Sequence, residues 1–419
     1  MQLSWNKLIN SECYKDNFKK TEARSPFVRD VDRVTFSNHF KRLMRKTQVH
    51  PLSGNDHVHN RLLHSLEVAS VGRSIACKVY QKLKKMEMLP VDNMYEFASI
   101  VQAACLAHDL GNPPFGHSGE SAIKEWFSRQ DDLKAELSEH YTDFTRYDGN
   151  ASSFRIVTGR PGNINTGIKL TYSSIGAMVK YPWFSASHEA DKGKFSFFHA
   201  NKKAASEVMT ELGCCKDGIF IRHPLSYLAE AADDICYCLL DIEDAYEMKI
   251  IDKPTVLNFY SSTYGVRDTD VSHARSRLIG QWIDKVCDNF FDQYEALMNG
   301  GNVYITNNVD AASAKKFARE HIYYDERTAH MMIGSYHTYE LLLGTFVLAI
   351  MNNFKGKAGH KDHYTVKLME RSFLPDNYAK MSLYEQVMLA VDYITGMTDN
   401  YISETASYFM GAADTGRRW

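Results

Sequence analysis

Apolar side chains recur every three to four residues along most of this chain, the spacing that places them on one face of an α-helix. The first such helix begins near Val58, and its apolar stripe comprises Leu62, Leu66, Ala69, Ala76, Val79 and Leu83. A second line, on another side of the same helix, comprises Arg61, His64, Val68, Val71 and Ile75. Because a helix lined on two sides is surrounded by protein, we expect His64 to point into the interior.

Two further helices carry comparable stripes. One is predicted from about Asn93 to Asp109, with a face formed by Met94, Phe97, Val101, Ala104 and His108. Gly111 then favours a C-terminal stop, and the prolines that follow cannot continue a helix. The other is predicted from about Leu225 to Tyr246, with Asp233, Tyr237 and Asp241 stacked at four-residue intervals on the side away from its apolar stripe.

The remaining patterns favour an all-α fold. Strand patterns are sparse, and residues 141–167 and 184–203, rich in Gly, Asn, Ser and Lys, are expected to form loops or a short strand pair. Helical patterns return over Tyr339–Phe354 and Ser382–Tyr401. We therefore expect one all-α domain over residues 1–419, with a core over about 58–250 and a helical C-terminal part over about 251–419.

Charge is unevenly distributed. The formal net charge is −2, which excludes a general polyanion binder, but the first 50 residues carry 11 Lys and Arg against 5 Asp and Glu. Two interpretations of this basic segment stay open: a solvated helix face, or a contact with a nucleotide or nucleic acid.

Cysteine usage and apolar run lengths bear on compartment. None of the eight cysteines forms a CxxC pair, so a zinc site of that type is not indicated, and we expect a reduced, cytoplasmic protein. The longest apolar run, Leu341–Met351, is too short to span a bilayer, so no membrane role is expected.

Four residues in three distant segments can hold a divalent metal ion: His64, His108, Asp109 and Asp233. A His–Asp dipeptide alone occurs by chance, but this one ends an apolar helix, where an unpaired Asp would be costly to bury. Asp234 competes with Asp233 for the last ligand position, and the residue spacing favours Asp233 without excluding its neighbour.

A candidate proton donor follows the His–Asp pair. His117 and Glu120 are spaced i, i+3 at the start of a predicted helix, where a carboxylate can fix the imidazole tautomer and raise its basicity. A local surface pair is the alternative, and the short distance from His108 in sequence favours the catalytic interpretation.

Candidate phosphate contacts are Arg61, one turn before His64, and Lys180 with Tyr181. The chain has no Gly-rich loop ending in GK[ST], which argues against P-loop chemistry.

Six blocks of sequence in order over roughly residues 24–401 resemble the HD superfamily, and within it the deoxyguanosine triphosphate triphosphohydrolases (dGTPases). The blocks are FSNHFKRLMRKTQVHP with RLLHSLEVASVGR, then AHDLGNPPFGHSGE, YDGNASSFRIV, LTYSSIGAMVKYPW, EAADDICYCLLDIEDA and DYITGMTDNY. The resemblance implies an HD-domain helical fold. It also implies hydrolysis of a deoxynucleoside triphosphate, dGTP first, to the deoxynucleoside and inorganic tripolyphosphate with Mn²⁺, Mg²⁺ or Fe²⁺.

The resemblance implies a role for each matching residue. The ion is held by His64, His108, Asp109 and Asp233, and His117 with Glu120 protonates the leaving 5′-oxygen. The substrate contacts that it implies are Arg61, Lys180 and Tyr181 for the triphosphate, Gln48 and Val49 for sugar and base, Tyr237 and Asp241 for the deoxyribose, and Asn150 in the segment that follows Gly149.

Two departures from the family pattern concern that segment. Many relatives have His where this chain has Gly149, and Ala-Ser-Ser follows Asn150 in place of Ala-Gln, which leaves the phosphate contacts there open. The resemblance further implies a homo-oligomer, such as a hexamer, and a nucleic-acid or dNTP effector. Two alternatives remain: another HD phosphohydrolase acting on cyclic nucleotides, guanosine tetraphosphate or nucleoside monophosphates, or a non-catalytic nucleotide or nucleic-acid-binding regulator.

Overall fold

The computed structural model describes residues 2–16, 24–48, 59–160, 166–307, 309–321, 326–370 and 373–412. The fold is all-α, as the sequence predicts. Within these described ranges the only sheet is a two-stranded antiparallel hairpin, which pairs Cys215 with Phe220 and Lys216 with Ile219.

The elements follow one another with short connections. In the first half they are α1 (Trp5–Leu8), α2 (Pro26–Thr35), α3 (Asn38–Arg42), α4 (Arg61–Lys85), α5 (Met94–Ala107), α6 (His117–Ser128), α7 (Asp131–Leu137), α8 (Thr142–Thr145), α9 (Gly149–Thr158), α10 (Tyr172–Met178) and α11 (Lys202–Glu211). In the second half they are β1 (Cys215–Lys216), β2 (Ile219–Phe220), α12 (Pro224–Glu247), α13 (Lys253–Tyr264), α14 (Val271–Asp292), α15 (Tyr294–Met298), α16 (Ala311–His321), α17 (Glu326–Phe354), α18 (His360–Glu370), α19 (Leu383–Thr395) and α20 (Asp399–Phe409). Single 3₁₀ turns occupy Leu43–Arg45, Ser138–Tyr141, His188–Lys192, His199–Asn201 and Tyr378–Lys380.

Side-chain caps set where the central helices begin. The Asn60 side chain accepts a hydrogen bond from the Leu63 N–H at 3.0 Å, so α4 begins at Arg61. Helix α12 begins with Pro224, whose missing N–H costs nothing in the first turn.

Three helices meet at Gly72. Helix α4 packs on α5, and α12 packs on both. A β-carbon at position 72 would lie 2.5 Å from Cys105 Sγ and 3.3 Å from Val101 Cγ1, so the close approach of α4 to α5 requires glycine there. This close packing brings polar residues of α4, α5 and α12 into one region.

The hydrophobic core consists of two clusters. The first holds α4, α5, α10 and α12–α14, and the second holds α6–α8 with α17, α19 and α20. Their boundary does not follow the division near residue 250 that we expect from the sequence, and the single-domain assignment stays a prediction. Helix α6 faces α4, α5 and α12 across the seam between the clusters, so a site there draws on both.

Several local expectations need correction. Leu66, placed on an apolar stripe of α4, is 42% exposed, whereas the line through Arg61 and His64 is buried. The segment expected to form a loop or strand pair over 141–167 contains α8 and α9 instead. The predicted C-terminal helix over Ser382–Tyr401 is divided into α19 and α20. Val58 lies outside the described residues.

No helix in the described part of the chain combines the length and apolar character needed to cross a bilayer. All eight cysteines are free thiols, and each is buried or half-buried.

Candidate metal centre

Three helices bring four candidate metal ligands to one point. His64 comes from α4, His108 is the C-cap of α5, Asp109 follows it, and Asp233 lies in the middle of α12. The donor atoms of His64, His108 and Asp109 all lie within 4.8 Å of one another. Asp233 Oδ1 lies 3.2 Å from His64 Nε2 and 3.4 Å from His108 Nε2. The structure therefore brings the four predicted ligands together.

The end of α5 explains how adjacent residues share one site. Consecutive side chains on a helix diverge by about 100°, but α5 stops at Ala107 and the chain turns at His108. His108 Nε2 consequently lies 3.3 Å from Asp109 Oδ1. Asp233, in contrast, retains 25% of its side-chain surface, which marks the open side of the centre.

Two cations partner the carboxylates. Arg61 Nη1 donates to Asp109 Oδ2 at 2.8 Å, and Lys180 Nζ donates to Asp233 Oδ2 at 2.5 Å. Burial opposes ionisation of Asp233, but Lys180 and His108 hold the pKa of that carboxyl well below its usual range. Burial also opposes ionisation of Asp109, and His108 and Arg61 lower its pKa. Both carboxylates are thus negative at neutral pH, as metal binding requires.

The residues present fit a divalent ion. His108 Nδ1 lies 2.6 Å from the Cys105 carbonyl oxygen, which fixes a proton on Nδ1 and leaves Nε2 facing the two carboxylates. A metal ion would replace the proton that Nε2 carries when His108 is cationic. That Nε2 atom is buried and has no hydrogen-bond partner among the described residues. Two imidazole nitrogens and two carboxylates suit Mn²⁺, Fe²⁺ or Zn²⁺ in particular, and Mg²⁺ less closely because it prefers oxygen ligands.

Asp234, the competing ligand, points elsewhere. Its Oδ1 accepts from Lys315 Nζ of α16 at 3.1 Å. The geometry therefore favours Asp233 alone.

His117 and Glu120 lie on the first turn of α6, at the mouth of the centre. The hydrogen bond expected between them is absent from the described part of the chain. Glu120 Oε1 accepts from the Gly149 N–H at 2.8 Å instead. The His117 side chain is solvent-accessible but crowded by protein, and this partial burial lowers its pKa. Glu120 acts in the expected direction and raises the pKa of His117, but burial outweighs it and Lys194 adds to the lowering.

Lys194 is a cation of this cleft that the sequence pattern missed. Its Nζ lies 3.8 Å from Glu120 Oε2 and 3.9 Å from Asp148 Oδ2. It belongs to the irregular segment after α10, where neither periodicity nor a motif distinguishes one lysine from its neighbours. Only the three-dimensional structure places it beside α6.

Asn150 and Gly149 begin α9 beside Glu120. The Asn150 side-chain amide donates to Asp148 Oδ1 at 2.8 Å, so this asparagine is held in the cap of α9. A β-carbon at Gly149 would lie 2.3 Å from Asn112 Oδ1 and 2.9 Å from Glu120 Oε1. The His that many relatives carry here would therefore displace both side chains, and the glycine fits this chain's own arrangement.

The other predicted substrate contacts surround the centre less closely. Tyr181 follows Lys180 and is half-buried, and burial raises its pKa. Tyr237 is half-buried one turn after Asp233, and Asp241 is buried a turn further along α12. Gln48 is half-buried, and its side-chain Oε1 is a buried atom without a hydrogen-bond partner among the described residues. Val49 lies outside the described residues.

The sequence of this chain is similar to those of known proteins. A family model described as HD domain matches residues 61–149. A deoxyguanosinetriphosphate triphosphohydrolase-like protein of Pseudomonas aeruginosa is 38% identical over 98% of this chain and 99% of its own length. One of the same name from Synechocystis is 31% identical over 95% of each chain. The deoxyguanosinetriphosphate triphosphohydrolase of Yersinia pestis is 28% identical over 93% of this chain and 95% of its own. The similarity thus extends far beyond the residues around the metal centre.

Proposed function

This chain belongs to the HD-superfamily family of deoxyguanosine triphosphate triphosphohydrolases, and from that premise we propose that it hydrolyses a deoxynucleoside triphosphate to the deoxynucleoside and inorganic tripolyphosphate. We propose dGTP as the first substrate to test. At the coarser level the chain is a hydrolase of the HD type, whose chemistry depends on a metal.

The observation that carries the proposal is the combination of four metal donors with cations on the same cleft. His64, His108, Asp109 and Asp233 would hold the ion. A divalent ion there supplies Lewis-acid charge and makes water acidic enough to act as a nucleophile near neutral pH. Such a site beside Arg61, Lys180 and Lys194 suits a phosphate ester better than an uncharged substrate.

Three cationic side chains are proposed to contribute in different ways to binding of a triphosphate. Arg61 and Lys180 each contact a metal-binding carboxylate, so they hold those carboxylates ionised and in place. Arg61 Nε is buried and has no partner among the described residues. Lys194 stands 3.8 Å or more from its carboxylates and is free to move toward a phosphate oxygen. We assign positioning of the tripolyphosphate to these three cations.

His117 is the proposed proton donor to the departing 5′-oxygen. Its pKa is lowered in the unliganded cleft, largely by burial. A bound triphosphate places negative charge beside the imidazole, and a nearby opposite charge favours the protonated form. Substrate binding would thus prepare His117 to give up a proton, while Glu120, held by the Gly149 N–H, keeps a negative charge within range.

Tyr237 and Asp241 are proposed to bind the deoxyribose. They follow Asp233 on the same face of α12 at four-residue intervals, so a sugar next to the metal centre would lie against them. Packing of Tyr237 under the ring would leave no room for a 2′-hydroxyl. Gln48 and Asn150 complete the proposed substrate contacts.

We propose a cytoplasmic homo-oligomer, with a hexamer as the first state to test, and regulation by a nucleic acid or dNTP. The family resemblance and the basic segment before residue 50 support these statements. Light scattering and salt-dependent DNA binding would test them.

A panel of dNTPs and rNTPs with Mn²⁺, Mg²⁺ or Fe²⁺, read by identifying the phosphate product, tests the function. Intact tripolyphosphate is expected, whereas orthophosphate, pyrophosphate or a nucleotide product would point to another HD phosphohydrolase. Asp233→Asn should lower turnover at least about 10²-fold, because it removes a charged donor from the centre. Asp234→Asn is the matched control, since this neighbour contacts Lys315, and it should keep near-normal turnover. Equal loss in both variants would contradict the assignment.

A further inference from the structure

A second basic cavity lies behind the turn that carries His108 and Asp109. Its volume is about 270 Å³, and it is enclosed by α3, α9 and α19. Leu110 and Gly111 form part of its wall, so the same turn separates it from the metal centre. Its charged and titratable lining residues, among those described, are His39, Arg42, Lys46, Arg155, Arg160 and Asp392.

Positive charge exceeds negative charge in this lining. Arg155 donates hydrogen bonds from Nε and Nη2 to the Asp392 carboxylate at 2.8–3.0 Å. Arg155 is 5% exposed, and its remaining Nη1 is buried with no hydrogen-bond partner in the described part of the chain. A buried guanidinium N–H without a hydrogen-bond partner is unfavourable, so the arrangement favours an acceptor in the cavity.

Lys46 is a second buried cationic side chain in the wall of this cavity. Its fully enclosed ammonium donates to two backbone oxygens, Asn112 O at 2.5 Å and Thr395 O at 2.9 Å. Burial, followed by the repulsion of Arg61 and Arg42, lowers the pKa of Lys46 to about 7 against the attraction of Asp399. Burial together with Arg42, Lys46 and Arg160 lowers the pKa of His39 to about 4. The three guanidinium groups of Arg42, Arg155 and Arg160 still outnumber the one carboxylate of Asp392 among the described lining residues, so the lining is net positive even where Lys46 and His39 are neutral.

Arg160 presents a binding surface at the entrance. Its guanidinium carbon lies 3.6 Å above the Phe373 ring, and Nη1 donates to Phe373 O at 3.0 Å, which holds the planar group in place. A larger cavity of about 550 Å³ adjoins here and shares Arg155 and Arg160. Its wall includes Leu374, Met388 and Leu389, which gives space for a less polar body attached to an anion.

From these contacts we propose that the cavity is a binding site for a phosphate-type oxyanion, separate from the metal centre. Arg155 Nη1 and Arg160 would donate to its oxygens, with Arg42 supplying further positive charge. The site does not depend on the proposed reaction, because no group of the metal centre is among the ligands.

Calorimetric titration of the metal-free protein with tripolyphosphate tests the proposal. The intact protein should bind one equivalent in this cavity, and a second if the cations of the metal centre also bind tripolyphosphate without the ion. Arg160→Gln should lose the equivalent in this cavity or weaken it more than about 10-fold, whereas Lys180→Gln at the metal centre should leave it unchanged. Arg146→Gln is the matched control, because Arg146 also contacts a backbone oxygen and a carboxylate at 2.8 Å but lies outside the cavity.

The more exposed Arg42 gives a second variant if Arg160→Gln does not fold. No binding by the intact protein, or binding that is unaltered in both Arg160→Gln and Arg42→Gln, would overturn the proposal. Titration with inorganic phosphate and with a nucleoside triphosphate then distinguishes the source: a ligand with a body should bind more tightly than phosphate if the adjoining cavity is used.

Discussion

At the scale of single residues, Asp233 is where the interactions of the metal centre converge. One of its oxygens faces both histidines and the other accepts from Lys180. Asp234 differs by one position and is turned by about 100° around α12, which sends it to Lys315. The chemical role of a carboxylate here depends on its position around α12.

His117→Ala should lower turnover by about 10²–10⁴-fold, the usual contribution of a positioned proton donor. The side chain is solvent-accessible on the first turn of α6, so the free energy of unfolding should change little. Single-turnover kinetics with dGTP and metal analysis of the same sample would check it. Full metal content with near-normal turnover would exclude His117 as the acid.

At the scale of elements, the end of α5 is locked against the start of α9. The Gly111 N–H donates to Ser153 Oγ at 2.9 Å, and that hydroxyl donates to His108 O at 2.7 Å. A β-carbon on Gly111 would lie 2.1 Å from Ser153 N. The position of both metal-binding residues in this turn therefore depends on contact between two backbones.

Gly111→Ala should destabilise the protein by about 1–3 kcal/mol or more, because the backbone of α9 has to shift to make room. Chemical denaturation together with a metal-binding titration would show both the lower stability and weaker binding of the ion. Gly280→Ala is the control: this exposed position of α14 has open space around it, so alanine should stabilise by about 0.5–1 kcal/mol. Unchanged stability and metal affinity in Gly111→Ala would contradict the argument.

Periodicity predicts α4, α5 and α12 well because each has an apolar stripe and a distinct cap. It misses α9, which is buried on nearly all sides by small and polar residues such as Ser152 and Ser153. Their hydroxyls bond within the structure, so no stripe appears in the sequence. The Glu120 contact with the Gly149 N–H is missed for a related reason: it joins residues 29 positions apart, and the i, i+3 pattern suggested the nearer His117.

At the scale of the whole molecule, His59 links helices α4 and α12 of the first cluster, a contact called here the His59 clamp. His59 Nδ1 lies 2.5 Å from Asp244 Oδ1 on α12, and Nε2 lies 3.1 Å from Glu67 Oε2 on α4. Burial alone would lower the pKa of His59, but the hydrogen bonds to Asp244 and Glu67 raise it to about 10. The protonated imidazole is thus part of the folded state at neutral pH.

This raised pKa predicts how global stability depends on pH. The folded pKa lies above the unfolded value of about 6.5, so the folded state holds the extra proton between these values. The stabilisation is fully present below pH 6.5 and is lost as pH rises through about 10. Because Glu67 is partly exposed, we expect a loss of about 1–3 kcal/mol.

Urea denaturation of metal-free protein at several values from pH 6.5 to pH 10.5 would measure the loss. The same series on His59→Gln removes contributions from other groups, and the difference between the two proteins should shrink as pH rises. If the difference in unfolding free energy between the two proteins stays constant across the series, the protonated His59 does not stabilise the fold as proposed.

The pairing of Arg61 with Asp109 and of Lys180 with Asp233 has a consequence for the life of the protein in a cell. Each carboxylate keeps a positive neighbour when the ion departs, so vacancy of the centre does not leave two bare negative charges in the interior. We therefore expect the folded chain to tolerate loss and replacement of the ion. Which metal it carries would then follow the supply in its surroundings as much as the preference of its ligands.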